Sequence, residues 1–124
     1  MILHLMRLDE WRAWRDGGPY EPASLATEGF VHCTGDDVML LDVANRFYGD
    51  VDALVAVALD PARLTHEVKW EEPAHPDGSA PAAEAPLFPH VYGPLDREAV
   101  TGVRRLARVD GRFAGYLPMA EPAC

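Results

Sequence analysis

The run Ala53-Leu54-Val55-Ala56-Val57-Ala58-Leu59, ended by Asp60-Pro61, constrains the fold more than any other stretch of the chain. Every position in it is apolar, which suits a strand covered on both faces, and the proline that follows cannot donate a further ladder bond. A strand of this kind sits in the middle of a sheet with a layer packed on each side. The remaining segments must supply its neighbours and those layers.

Residues 2–6 read as a second buried strand, with Ile2, His4 and Met6 on one face and Leu3 and Leu5 on the other. Residues 66–72 alternate, Glu67, Lys69 and Glu71 opposing His66, Val68 and Trp70, as in a half-buried strand. Residues 99–109 form a strand broken at Gly102, and Asp110-Gly111 turns it into a return strand over 112–117. Two helices lie between. The first starts at Asp9 as N-cap, runs to about Asp16 and is stopped by Gly17-Gly18 and Pro19, with Trp11 and Trp14 on one face as an apolar anchor. Thr34 caps the second, whose first turn holds Asp36 and Asp37, whose apolar stripe is Leu40, Val43, Ala44 and Phe47, and whose stop is Gly49. Residues 20–26 read as a loop, and residues 73–86, rich in Pro and Ala, as a surface loop. Residues 87–95 read as a shaped loop, because Pro89 and Pro94 argue against a regular interior strand. The expectation is one compact α/β or α+β domain over residues 1–117, with short flanking helices, followed by a tail over 118–124.

A length of 124 residues with 48% hydrophobic content supports one core and one domain. The formal charge of -9 argues against a surface that tracks the phosphates of a nucleic-acid duplex. A local basic pocket built from Arg97, Arg104, Arg105, Arg108 and Arg112 still allows a small anion. Two cysteines do not make a disulfide framework, and no stretch reaches the length of a membrane span. The opening residues lack the design of a signal peptide, so the expected compartment is the cytoplasm.

The chemistry-bearing residues concentrate in Thr27-Glu28-Gly29-Phe30-Val31-His32-Cys33-Thr34 and in Phe88-Pro89-His90-Val91-Tyr92-Gly93-Pro94-Leu95, with His4 in the opening strand. The recurrence of histidine at the ends of apolar segments predicts that all three converge on one cleft. Taken alone, His4 also reads as a core histidine bonded to backbone. A metal is not expected: there is no Cys-x-x-Cys or His-Glu-x-x-His spacing, and adjacent His32 and Cys33 point to opposite faces of an extended segment. Cys33 near a helix start, with His4, His32 or His90 as base, offers a cysteine-dependent hydrolase as one alternative. Imidazoles beside Trp70, Phe88 and Tyr92 suit instead the hydroxyls, phosphates and flat rings of a nucleotide-like small molecule.

His4 in an opening strand, Glu28-Gly29-Phe30-Val31-His32-Cys33-Thr34, Asn45-Arg46-Phe47-Tyr48, Trp70-Glu71 and the segment from Phe88 to Leu95 together resemble the DUF952 family of small bacterial proteins. The resemblance implies a fold related to the ADP-ribosyltransferase and RNA 2'-phosphotransferase group, with a cleft for NAD in a split β-core. It implies that His4 meets the nicotinamide-side ribose and His32 the adenylate or phosphate part. Thr34 and Tyr92 complete the expected cofactor-binding set, and Glu71 and His90 are the catalytic candidates. The function expected is binding or sensing of NAD or an ADP-ribose-like ligand. ADP-ribosyl or phosphoryl group transfer is the alternative.

Overall fold

A computed structural model describes residues 1–17, 20–71 and 87–118. In chain order the elements are β1 (Ile2–Arg7), α1 (Leu8–Trp14), α2 (Ala23–Glu28), β2 (Val31–His32), α3 (Asp37–Phe47), β3 (Leu54–Leu59), β4 (Val68–Glu71), β5 (Phe88–Val91), β6 (Val100–Val109) and β7 (Arg112–Pro118). They make two antiparallel sheets, a larger one ordered β1-β3-β6-β7 and a smaller one ordered β2-β5-β4.

The apolar run at 54–59 is an interior strand, as its composition requires. Because side chains alternate, it feeds two cores at once. Val55, Val57 and Leu59 pack in one cluster with Ile2, Met6, Trp11, Trp14, Val31, Cys33 and Val91, which lies between the sheets and beneath α1. Leu54 and Ala56 pack in the other with Leu3, Leu40, Ala44, Leu106 and Phe113, beneath α3. Each fully buried Val or Leu contributes about 1.5–3 kcal/mol relative to an exposed one, so β3 fixes the layer order of the domain.

The two sheets are joined by four residues. Val31 and His32 pair with Val91 and His90 of β5, and the Cys33 N–H donates to the Pro89 carbonyl at 3.1 Å. One residue later the chain has changed sheets: Thr34 N–H donates to the Leu3 carbonyl at 2.7 Å and Leu3 N–H to the Thr34 carbonyl at 2.8 Å.

On the far side, α3 is fastened to β7 by one amide. Asn45 Nδ2 donates to the Phe113 carbonyl at 2.9 Å, and the Phe113 N–H donates to Asn45 Oδ1 at 2.8 Å. The side chain thus completes backbone groups next to the irregularity between Ala107 and Arg108 in the β6–β7 ladder. Asn45→Ala is expected to cost about 1–3 kcal/mol in urea unfolding, because both Phe113 groups lose a part-buried partner. A loss below about 0.5 kcal/mol would show that water replaces the amide freely.

Several local expectations are corrected. Residues 87–95 contain a regular strand, and Pro89 lies in β5, the middle strand of the smaller sheet. The N–H and C=O of one residue in an antiparallel strand point the same way. Since the Pro89 carbonyl faces Cys33, its missing donor falls where β2 is already ending, and the β4 ladder loses nothing there. The loop expected over 20–26 contains the start of α2. The first helix is capped at Arg7 rather than Asp9, with the Glu10 carboxylate accepting from the Arg7 N–H, and ends at Trp14 rather than near Asp16. Asp36, not Thr34, caps α3, because its carboxylate accepts from the Met39 N–H while the Thr34 backbone is spent on Leu3. Phe47 leaves the apolar stripe and is exposed. Gly102 does not break β6; it pairs with Ala58, and the irregularity falls at Thr101. Asp110-Gly111 turns the hairpin with φ of 51° and 82°, the double positive φ that selects this dipeptide. Pro118, expected in the tail, ends β7. The loop expected at 73–86, the tail beyond 118, Glu72 and the Gly18-Pro19 stop lie outside the described residues.

Candidate functional site

The smaller sheet has one apolar face and one that carries rings and polar groups. Val31 and Val91, paired across β2 and β5, are fully buried in the core between the sheets. Their alternation partners His32 and His90, also directly paired, turn to the other face together with Lys69, which pairs with His90 from β4. There Phe30 stacks on His90 with centroids 4.2 Å apart and planes at 20°. The His32 ring stands edge-on to Phe30 at 4.9 Å and to His90 at 5.4 Å, and Tyr92 lies 5.5 Å from Phe30.

Beneath these rings is a carboxylate. Glu71 Oε1 accepts from His90 Nδ1–H at 2.9 Å and from the Tyr92 hydroxyl. The Tyr92 bond, and after it the His90 bond, hold the Glu71 carboxyl below its ordinary pKa, and the same contact raises the phenol of Tyr92. A carboxylate only accepts, so Nδ1 of His90 carries a proton and, in the neutral ring, Nε2 keeps its lone pair. His90 is 3% exposed. His32 Nε2 meets Glu28 Oε2 at 2.6 Å near the surface, and Lys69 Nζ lies 4.7 Å above the Tyr92 ring while also reaching Glu67.

His4 approaches from the other direction. It shares a strand face with Ile2 and Met6, and its Nδ1–H donates to the His32 carbonyl at 2.7 Å. Its ring packs 5.5 Å from Tyr20, whose hydroxyl donates to Glu10. Burial lowers its pKa to about 4, because the charged ring would lose its water. His4 therefore holds the backbone of the site as a neutral core imidazole.

Of the residues singled out in the sequence, Glu71, His90, His32 and Tyr92 lie together on one sheet face. His4 reaches them only through the His32 carbonyl. Thr34 stands apart, its hydroxyl enclosed without a hydrogen-bond partner among the described residues. Cys33 is free, 2% exposed and turned into the core, and burial pushes its thiol pKa up, which deprives a cysteine hydrolase of its thiolate. Trp70 covers backbone: a Cβ on Gly35 would stand 3.0 Å from the indole, so glycine is what lets the ring lie there. Three of the five arginines expected in a basic pocket are engaged elsewhere. Arg104 is paired with Asp37 on both carboxylate oxygens, Arg108 donates to the carbonyls of Gly49, Val51 and Gly111, and Arg97 donates to the Arg15 carbonyl. Sequence reasoning missed Glu28 as partner of His32 and Phe30 as the ring on His90. The i, i+4 spacing of Glu28 and His32 was the one available signal.

Two hollows lie elsewhere, one of about 380 Å³ beside Leu3, Asp37 and Arg104 and one of about 470 Å³ beside Arg7, Arg12 and Asp52. Neither touches the ring face. We place the candidate site on the rings because there a buried imidazole, His90, meets a partly exposed carboxylate, Glu71, whereas the charged groups lining the hollows are mostly solvated. Among the described residues no set of three or more His, Cys, Asp or Glu gathers around a point fit for a metal ion, and no helix is long and apolar enough to cross a membrane.

These features define an α+β domain of two antiparallel sheets, the smaller of which carries a buried imidazole bonded to a partly exposed carboxylate and stacked on a phenylalanine. The chain belongs to the DUF952 family, described as a protein of unknown function, whose family model matches residues 5–103. The crystal structure of protein CC0527 from Caulobacter crescentus is similar, with 26% sequence identity, a TM-score of 0.68 and 90% of each chain covered. The solution NMR structure of the same protein gives 26% identity and a TM-score of 0.66 over 90% of each chain. No curated protein matches the chain.

Proposed function

We propose that the outer face of the smaller sheet binds NAD or an ADP-ribose-like small molecule in a binding or sensing role. The observation that carries this reading is the parallel Phe30–His90 stack, flanked by the His32 ring and the Tyr92 hydroxyl. It offers flat apolar surface for a ring and polar nitrogens for ribose hydroxyls on one patch. On this reading the fold is a variant of the ADP-ribosyltransferase and RNA 2'-phosphotransferase architecture, residues 1–117 are the binding domain, and the protein acts in the cytoplasm. Thr34, enclosed and apart, has the weakest claim to the ligand, and His4 serves by holding His32 in place.

Calorimetric titration with NAD, ADP-ribose, AMP and a short RNA tests the proposal. NAD or ADP-ribose is expected to bind in the micromolar to millimolar range, roughly 4–8 kcal/mol, since no glycine-rich phosphate cradle is present. Phe30→Ala and His32→Ala are each expected to weaken it about tenfold while the circular dichroism spectrum is unchanged. Absence of binding by every nucleotide at millimolar concentration would end the nucleotide reading. A second reading, ADP-ribosyl or phosphoryl transfer, is favoured by one contact, the His90–Glu71 hydrogen bond, because a carboxylate behind an imidazole is the arrangement of an acid–base pair.

A further inference from the structure

We infer that within this site His90 is the proton acceptor, acting through Nε2 on a hydroxyl of water or of the ligand, and that Glu71 and Tyr92 are its positioning residues. The inference rests on the reading that the face receives a nucleotide-like ligand, and it assigns roles that the pair of residues alone leaves open.

Glu71 is occupied. Its Oε1 accepts from both His90 and Tyr92, and those bonds favour the ionised carboxylate. A carboxylate so held is a weak base with its reactive oxygen already engaged, but it fixes the tautomer and ring angle of the imidazole and stabilises the imidazolium when a proton arrives. His90 is the reverse case. Its ring is almost wholly buried, one nitrogen is bonded, and Nε2 has no hydrogen-bond partner among the described residues. Among the described residues the enclosed side-chain atom without a partner is Thr34 Oγ1, so Nε2 of His90 is open enough for an O–H of water or of the ligand to reach it.

The other two imidazoles lack one part each. His4 is bonded through Nδ1 in the same way, but to the His32 carbonyl, a neutral amide oxygen that does far less for a cation than a carboxylate. His32 has the Glu28 carboxylate but is about half exposed, so water competes for its nitrogens. The charged and titratable groups around His90 are Glu71, Tyr92, Lys69 and His32 on its own sheet and Glu28 from α2 behind His32.

The step is balanced without an oxidant. The hydroxyl proton moves to Nε2 while the oxygen lone pair forms a bond to the anomeric carbon or phosphorus of the ligand. The bond to the leaving group breaks with its electron pair, and the leaving group takes the proton back from Nε2. Water as acceptor gives hydrolysis, and an alcohol gives transfer.

The test reads the ring nitrogens directly. Two-bond proton–nitrogen NMR at neutral pH is expected to show His90 as the Nδ1–H tautomer in the wild type. In Glu71→Gln the amide can donate to Nδ1 and move the proton to Nε2. Diethyl pyrocarbonate, which acylates an unprotonated imidazole nitrogen, is expected to label His90 in the intact protein, with the site mapped by mass spectrometry and the rate falling about tenfold in Glu71→Gln. Should that variant unfold, Tyr92→Phe serves: it keeps the His90–Glu71 bond, so the tautomer is expected to persist. A wild-type Nε2–H tautomer, or an inert His90 while exposed His66 reacts, overturns the assignment. Saturating ADP-ribose or NAD is expected to slow labelling of His90. Labelling at an unchanged rate with either ligand would sink the nucleotide reading and leave the proton-acceptor assignment standing.

Discussion

Acidification from pH 7 to pH 4 is expected to remove about 3 kcal/mol of stability through His4 alone. Burial lowers the pKa of this ring from 6.5 to about 4, and each unit of difference between the folded and unfolded chain is worth about 1.4 kcal/mol. Between these two values the unfolded chain binds a proton that the native chain refuses. Stability therefore falls as the pH drops through 6.5, continues to fall to about 4, and receives no further loss from this group below that. Urea unfolding at half-unit intervals gives the curve. His4→Asn, which keeps a donor for the His32 carbonyl and does not titrate, is expected to flatten it across this window. Asp37 and Glu71 have depressed pKa values and act in the same direction at lower pH, so the difference between the two proteins isolates His4. Equal slopes would mean that the His4 ring gains its proton in the native state as readily as in the unfolded chain.

Trp11→Ala is expected to cost about 3–5 kcal/mol, the range for truncating a buried aromatic. Trp11 is 1% exposed, meets Trp14 edge-on at 5.9 Å and has the Arg97 guanidinium 4.9 Å from its ring. It belongs to the cluster shared by α1, β1, β3 and both faces of the inter-sheet core. A typical domain has only about 5–15 kcal/mol in total, so the variant is expected to unfold at a much lower urea midpoint. A loss under about 1.5 kcal/mol would mean that α1 is not the anchor of that core.

The elements legible in the sequence are those whose signal is local. β3 and the burial of Trp11 and Trp14 follow from apolar runs and spacing, and the Asp110-Gly111 turn from the φ values those residues tolerate. β5 was hidden because the cost of a proline depends on which way its nitrogen faces, and that is decided by the position of β2. The Thr34 cap failed for a related reason: a hydroxyl suited to a helix start lies on a backbone that a distant strand claims first. At the candidate site the residue types were readable, as His32, His90, Glu71 and Tyr92. Their contacts were not, since Glu71 and His90 are 19 positions apart and meet only through the β4–β5 register. The stacking of Phe30 on His90 depends in turn on the β2–β5 pairing.

The change of sheet between residues 32 and 34 has a consequence for engineering. β2 contributes two residues to its sheet, too few to stay paired by themselves. What keeps them there is the grip of Thr34 on Leu3 one step further along. The histidine face is thus no detachable module: grafted onto another scaffold as β2, β4 and β5 alone, it would lose its outermost strand and with it the ring of His32. A transplant that works must carry the edge of β1 as well.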